Sequence, residues 1–164
     1  MPERIPPSIR GMTDELFGLV LNLALATLMV GATVLVHFWG LLVLTRALRH
    51  GGSRFKLHEG APRQAALILI VVFGIFLVHT VEIWIYAALY RVLGEVKSFE
   101  EALYFSTVSF STLGYGDVVL SPRWRLVGAI EGANGMILIA WSTAFLLTVT
   151  SRLKILEHDW LERK

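Results

Sequence analysis

Three apolar stretches dominate the chain, and each is long enough to cross a lipid bilayer. They lie within residues 16–44, 65–93 and 124–153, and a transmembrane helix needs about 20 residues. In hydrocarbon each backbone polar group needs a partner inside the protein, so stretches of this kind form helices. With 55% hydrophobic and 17% charged residues, the chain is also too apolar for a typical soluble domain. The sequence therefore predicts an all-α integral membrane protein with three transmembrane helices.

A fourth segment, residues 98–111, is too short to cross the bilayer. Ser98 followed by Glu101 has the spacing of a capping box, which indicates the start of a helix. A short helix that enters the membrane and continues into non-helical backbone forms a re-entrant loop. Irregular backbone at that depth is tolerated only inside protein or along a water-filled cavity. We therefore expect a re-entrant helix at a functional site.

The segment 112–117, TLGYGD, follows this short helix directly. Glycine adopts left-handed backbone dihedrals at no steric cost, so Gly114 and Gly116 allow the backbone to alternate in handedness. Alternation aims successive carbonyl oxygens to one side, where they can replace the water shell of a potassium ion. Together with the hydroxyl-rich run 104–111 before it, the segment resembles the selectivity filter and pore helix of the potassium-channel family. The resemblance extends over residues 64–153.

The resemblance implies a role for each residue of this segment. The side chains of Leu113 and Tyr115 would point away from the pore and brace it from behind. Asp117 would accept a hydrogen bond from Tyr104 of the pore helix, or would be a solvated charge that attracts cations at the mouth. Potassium would be the permeant ion, with no other cofactor. The residues that would bind it are Thr112, Leu113, Gly114, Tyr115 and Gly116.

The last apolar helix carries further residues that the resemblance implies for the pore. Gly135 matches the hinge glycine of the family, although small residues also let helices pack closely in membranes. One face of this helix would line the central cavity, and its members are Met136, Ile139, Thr143 and Leu147. Four copies of Leu147 would form a hydrophobic gate that closes by dewetting. The alternative for this row is packing in the protein core.

Polar side chains inside the apolar helices are the final candidates. Such groups are costly in the bilayer and usually face protein or water. They are His79, Glu82, Glu131 and Asn134, with His37 in the first helix. One hypothesis joins His79 and Glu82 to Glu131 or Asn134 in a network that braces the filter or senses pH, since histidine titrates near neutrality. A metal site and ordinary hydrogen-bonded groups are the alternatives.

Basic residues are concentrated in the loop 45–64, which holds five of them against one acidic residue. The tail from residue 151 holds four more basic residues. The segments 1–15 and 91–125, at the opposite ends of the apolar helices, hold six basic residues against seven acidic ones. The positive-inside rule therefore predicts a cytoplasmic loop and C-terminus, with the N-terminus outside the plasma membrane. The loop could also bind anionic lipid head groups. No basic, aromatic-interleaved stripe indicates nucleic-acid binding.

The chain contains one filter segment, and a single strand of carbonyls cannot encircle an ion. A homotetramer with closed four-fold symmetry follows. We expect a passive, potassium-selective channel and no enzyme. The alternatives are a weakly selective cation channel and a non-conducting or regulatory membrane protein.

The predicted parts are an extracellular segment 1–15, an extra helix 16–44, a loop 45–64, a pore domain 65–153 (outer helix 65–93, pore helix 98–111, filter 112–117, inner helix 124–153) and a tail 154–164.

Two roles are open for the extra helix, since the minimal two-helix pore has no counterpart of it. It would either pack outside the outer helix as a lipid-facing ring or carry regulation.

Overall fold

The protein is built from four α-helices. A computed structural model describes the backbone of residues 7–54 and 61–152, and the side chains of residues 11–49 and 64–152. The helices are α1 (Pro7–Arg54), α2 (Ala61–Val92), α3 (Phe99–Phe110) and α4 (Arg125–Arg152). The described residues contain no strand. Helices α1, α2 and α4 are long and apolar enough to cross a membrane, which confirms the expected all-helical membrane protein.

The short helix α3 begins where the capping box predicts. The side chain of Ser98 accepts a hydrogen bond of 3.1 Å from the backbone N–H of Glu101. The Glu101 carboxylate in turn accepts one of 2.8 Å from the backbone N–H of Lys97. One unpaired N–H of the first turn and the N–H of the residue before the N-cap are therefore satisfied at the start of the helix. The helix ends at Phe110, and its C-cap Ser111 precedes the TLGYGD segment.

Helix α1 is longer than the apolar stretch that predicts it. It begins at Pro7 and ends at Arg54, so the region expected as the loop 45–64 is helical at both of its ends. The reason is that arginine, leucine and alanine are good helix formers, and a helix can continue past the apolar stretch into polar sequence. Residues 55–60 and the tail 153–164 lie outside the described residues.

Helix α2 ends in a glycine cap, after which the chain leads to the start of α3. Gly94 has φ +73°, and the N–H of Glu95 donates to the carbonyl of Tyr90 at 3.1 Å. This is the pattern of a Schellman motif. The Glu95 carboxylate then accepts hydrogen bonds from the backbone N–H and the hydroxyl of Ser121, at 2.7 and 3.0 Å. The segment before α4 is thus tied to the end of α2.

Helix α3 packs between α2 and α4, and α1 packs against both α2 and α4. The main buried cluster includes Tyr86, Tyr90, Ala102 and Val127 from the three helices of the predicted pore domain. Helix α1 adds Met29 to this cluster. The first helix is therefore not only an outer ring around α2, because it also contacts the inner helix α4.

Candidate functional site

The TLGYGD segment is anchored to the end of α3 by backbone hydrogen bonds. The N–H groups of Leu113 and Gly114 both donate to the carbonyl of Val108, at 3.0 and 3.3 Å, and the N–H of Thr112 donates to the carbonyl of Ser109 at 3.0 Å. The first half of the segment is thus folded back onto the last turn of α3. This arrangement makes the position of the segment depend on the position of the short helix.

The backbone of the segment alternates in handedness, as the two glycines predict. The φ angles of Gly114 and Gly116 are +56° and +77°. Thr112 also has a positive φ, +62°, and it is the sole non-glycine residue with one in the described chain. A β-branched residue in this region is an outlier that costs about 1–2 kcal/mol. The sequence analysis missed this strained threonine, because no residue-type signal predicts a left-handed Thr.

The carbonyl oxygens of residues 112–116 accept no hydrogen bond from the described part of the chain. Within residues 61–152, no backbone or side-chain donor bonds to a carbonyl of residues 112–116. Residues 112–117 are exposed in the single chain, so these carbonyls are open to an outside partner such as water or a cation. A run of unpaired carbonyls on a backbone of alternating handedness can therefore coordinate a cation.

The side chains of the segment are largely exposed in the single chain. Leu113 is 58% and Tyr115 is 68% exposed, whereas Val108 and Phe110 at the end of α3 are buried. The bracing role of Leu113 and Tyr115 stays a prediction.

Asp117 is held by the hydrogen bond that the resemblance implies. The Tyr104 hydroxyl donates to Oδ2 of Asp117 at 2.6 Å. This bond lowers the pKa of Asp117 below its ordinary value and raises the pKa of Tyr104. The last residue of the segment is thereby tied to the second turn of α3, while Leu113 and Gly114 are tied to its last turn.

Glycines of α4 lie against α3 and bring the two helices into close contact. A Cβ at Gly135 would overlap the carbonyl oxygen of Phe110 and would lie 2.8 Å from its carbonyl carbon. A Cβ at Gly132 would lie 3.1 Å from the carbonyl oxygen of Ser109. Close helix packing is therefore a role that the structure gives Gly135. Its role as a hinge stays a prediction.

The four predicted cavity residues share one open face of α4. Met136 is 59%, Ile139 is 38% and Leu147 is 61% exposed, and Thr143 is exposed as well. Leu138 and Ser142, which lie between them in sequence, are buried. This row is therefore not part of the core of one chain. Its roles as cavity lining and gate stay predictions.

The polar residues of the apolar helices form separate clusters. Glu131 of α4 is fully buried and accepts hydrogen bonds from the Tyr90 hydroxyl, at 2.6 Å, and from the Ser106 hydroxyl of α3. Asn134 donates to the hydroxyl of Thr33 in α1 at 2.8 Å and to that of Tyr86 at 3.3 Å. Glu131 thus joins α2, α3 and α4, and Asn134 joins α1, α2 and α4.

The expected link from His79 and Glu82 to Glu131 or Asn134 is wrong. No hydrogen bond joins these pairs within the described residues. Glu82 is instead bound by two histidines. Its Oε1 lies 2.9 Å from Nδ1 of His37 and its Oε2 lies 2.8 Å from Nδ1 of His79. The physical reason is that α1 contributes His37 at the position where the prediction assumed a residue of α4.

The sequence analysis missed the hydroxyl partners of these clusters. They are Thr33, Tyr86, Tyr90 and Ser106, and the residues they contact lie 25 to 101 positions away in the chain. Hydroxyl residues are common in apolar helices, so their residue type alone carries little signal. For His37 the signal was available, since an ionisable residue within an apolar helix indicates a specific role.

Comparison with known proteins agrees with this geometry. A family model described as ion channel matches residues 65–152, which covers α2, α3, the TLGYGD segment and α4. No curated protein and no solved structure matches the chain significantly. Helix α1 lies outside the matched region.

Proposed function

Since the chain belongs to the ion channel family, as a small channel of the potassium type, we propose that it is a potassium-selective channel. It conducts dehydrated K⁺ passively through the carbonyl oxygens of residues 112–115, and Gly116 shapes the outer mouth. The observation that carries this proposal is the alternating backbone of the TLGYGD segment with its unpaired carbonyls. Backbone carbonyls of this kind replace the hydration shell of K⁺.

The proposed channel is a homotetramer. One chain supplies one strand of carbonyls, so four strands must converge on a four-fold axis to surround the ion. The exposed side chains of Leu113 and Tyr115, together with the open face of α4, support this assembly. In it, Met136, Ile139 and Thr143 line the cavity below the filter, and Leu147 forms the narrowest apolar ring.

The proposed topology follows from the filter and the charges. Helix α3 is the re-entrant pore helix, and it enters from the outer face of the plasma membrane. The basic residues of the region 45–64, which includes the end of α1 and the start of α2, and those of the tail are then cytoplasmic, in agreement with the positive-inside rule. The N-terminus is outside. The basic loop suits contact with anionic lipids of the inner leaflet.

Ion flux into liposomes tests the proposal. Purified protein in vesicles with a K⁺ gradient should pass K⁺, pass Na⁺ poorly and be blocked by Ba²⁺. Equal K⁺ and Na⁺ flux would indicate a weakly selective cation channel. Absence of flux under all conditions would favour a non-conducting membrane protein.

Two glycine substitutions make a matched pair for this assay. Gly116 and Gly94 have φ angles of +77° and +73°, and a Cβ at either one meets no atom within 4 Å. Alanine therefore adds a similar backbone strain of about 1–2 kcal/mol at both positions. Gly116→Ala should abolish selective K⁺ flux, whereas Gly94→Ala, which lies at the end of α2, should retain it. Equal loss in both variants would show that general destabilisation causes the effect.

A further inference from the structure

We propose that His37, His79 and Glu82 form a binding site for a divalent transition metal ion of the Zn²⁺ type. Two imidazoles and one carboxylate are a ligand set that Zn²⁺ binds, with a fourth position open to water. Helix α1 provides His37, and α2 provides His79 and Glu82, which are three residues apart on one face. The site is separate from the filter, and one of its three ligands, His37 of α1, lies outside the region that matches the ion channel family.

The spacing of the donor atoms suits a single ion. One nitrogen from each ring and one carboxylate oxygen all lie within 4.8 Å of one another. The two histidine–glutamate contacts are 2.9 and 2.8 Å. Bonds of about 2.0–2.2 Å to a tetrahedral Zn²⁺ put neighbouring ligand atoms about 3.4 Å apart. That separation lies between the short histidine–glutamate contacts and the 4.8 Å within which all the donor atoms fall. Small rotations of the two rings would therefore bring the three donors around one ion.

The surroundings of the three residues favour a metal over water as their partner. His37 and Glu82 are fully buried, and His79 is 14% exposed. The second ring nitrogen of His37, Nε2, is buried and has no hydrogen-bond partner among the described residues, so one polar atom of the cluster stays unsatisfied. The ring of Trp141 packs on His37, with the ring centroids 5.1 Å apart, and the ring of Phe110 packs on His79, with the centroids 5.6 Å apart. Such an apolar shell limits solvent access and strengthens metal–ligand bonds.

An entry path reaches the cluster on the side of His79. A cavity of about 390 Å³ lies between α2, α3 and α4, and its lining includes His79, Thr80, Thr107, Ser142 and Thr143. Most of this lining is apolar, and the hydroxyls of Thr80, Thr107 and Thr143 donate to backbone carbonyls of their own helices. The cavity therefore gives an ion space to approach but no ligand before His79. The partly exposed edge of His79 is then the first ligand that the ion meets.

Metal binding at this site would join α1 to the pore domain. His79 packs on Phe110, the last residue of α3 before the filter segment. An ion held by His37 and Glu82 would therefore fix the position of α1 relative to α2 next to the base of the pore helix. The importance of that contact for conduction rests on the proposed channel function, whereas binding of the ion does not.

Cobalt provides a direct probe of the site, because Co²⁺ bound by histidine and carboxylate ligands absorbs visible light. The full chain, freed of any affinity tag and of bound metal, is titrated with Co²⁺ in detergent and then with Zn²⁺ in a calorimeter. We expect one saturable site per chain, with Zn²⁺ displacing the Co²⁺ absorption. Saturation should also raise the thermal unfolding temperature, since only the folded state holds the three ligands together.

Single substitutions separate this site from other histidines. His37→Asn, His79→Asn and Glu82→Gln should each weaken binding at least tenfold, since even outer partners of metal ligands contribute 10–100-fold in affinity. His50→Asn is the matched control, because residue 50 lies about 20 Å further along α1, and it should bind as the unchanged chain does. His79 is partly exposed, so its variant should fold even where the His37 variant does not. Absence of saturable binding, or equal binding in all variants, would overturn the proposal and leave a hydrogen-bonded helix contact only.

Discussion

Gly135→Ala tests whether this glycine serves close packing or only bending of α4. A methyl group at this position would overlap the carbonyl oxygen of Phe110, and it would lie 2.9 Å from the Cα of the same residue. These atoms belong to the backbone at the end of α3, so they cannot move aside as a flexible side chain would. The substitution must instead separate α4 from α3 or displace the start of the TLGYGD segment.

The expected change in the free energy of unfolding is the difference between two effects. Alanine is more favourable than glycine within a helix by about 1 kcal/mol. Overpacking of a close contact costs about 1–3 kcal/mol, and a rigid backbone neighbour puts this contact at the upper end. We therefore expect Gly135→Ala to lower the free energy of unfolding by about 1–2 kcal/mol. For a chain of this length that corresponds to a fall of about 2–8 °C in unfolding temperature.

Two other glycines of α4 are matched controls for this experiment. A Cβ at Gly128 would meet the ends of the Leu120 and Phe105 side chains at 3.2 Å, and these side chains can rotate away. Gly128→Ala should therefore leave stability unchanged or raise it. Gly132→Ala should fall between the two, since its Cβ would lie 3.1 Å from the backbone oxygen of Ser109.

The assay is thermal unfolding in detergent, followed by K⁺ and Na⁺ flux into liposomes. Packing at residue 135 predicts that stability decreases in the order Gly128→Ala, Gly132→Ala, Gly135→Ala, and that the last variant also loses selectivity. If Gly135 were only a hinge, alanine would stabilise α4 there as it does at Gly128, and only gating would change. An unfolding temperature of Gly135→Ala at or above that of the unchanged chain would refute the packing argument.

Three further predictions concern the filter support, the buried acid and the gate. Tyr104→Phe removes the hydrogen bond that lowers the pKa of Asp117. The stabilisation from that bond is present above the ordinary carboxyl pKa of about 3.9 and is lost as pH falls through the lowered pKa. We therefore expect selective flux to be lost on acidification at a higher pH in the variant than in the unchanged chain. An unchanged acid profile would show that Asp117 acts as a solvated charge. Glu131→Gln should keep a partner for the buried Tyr90 hydroxyl, whereas Glu131→Leu leaves it unpaired and should destabilise the protein by about 1–3 kcal/mol in detergent unfolding; equal stability of both variants would contradict this role. Leu147→Asn should raise basal K⁺ flux because a polar ring stays hydrated, and unchanged flux would assign this residue to packing.

Features that depend on local chemistry could be predicted from the sequence. A capping box needs only Ser98 and Glu101 at the right spacing, and α3 begins there. Left-handed backbone at Gly114 and Gly116 follows from the absence of a Cβ, and both angles are positive. The contact between Tyr104 and Asp117 joins residues that are close in the chain, so a family resemblance was enough to imply it.

Features that depend on helix rotation and contact could not be predicted in this way. Glu82 was expected to face α4, but its second histidine comes from α1, because α1 packs against both α2 and α4. Hydropathy is nearly uniform around apolar helices, so the sequence of α1 does not indicate which face contacts which neighbour.

Residue type and spacing by themselves determined the three long apolar helices, the short helix and the backbone conformation of the two glycines in the TLGYGD segment, because helix length and backbone handedness are local properties. The tertiary structure alone decided that Gly135 contacts the backbone of Phe110 and that Glu131 bonds to Tyr90 and Ser106. It also decided that His37 completes the cluster around Glu82. Each of these contacts joins different helices, and their relative rotation depends on the packing of all four at once.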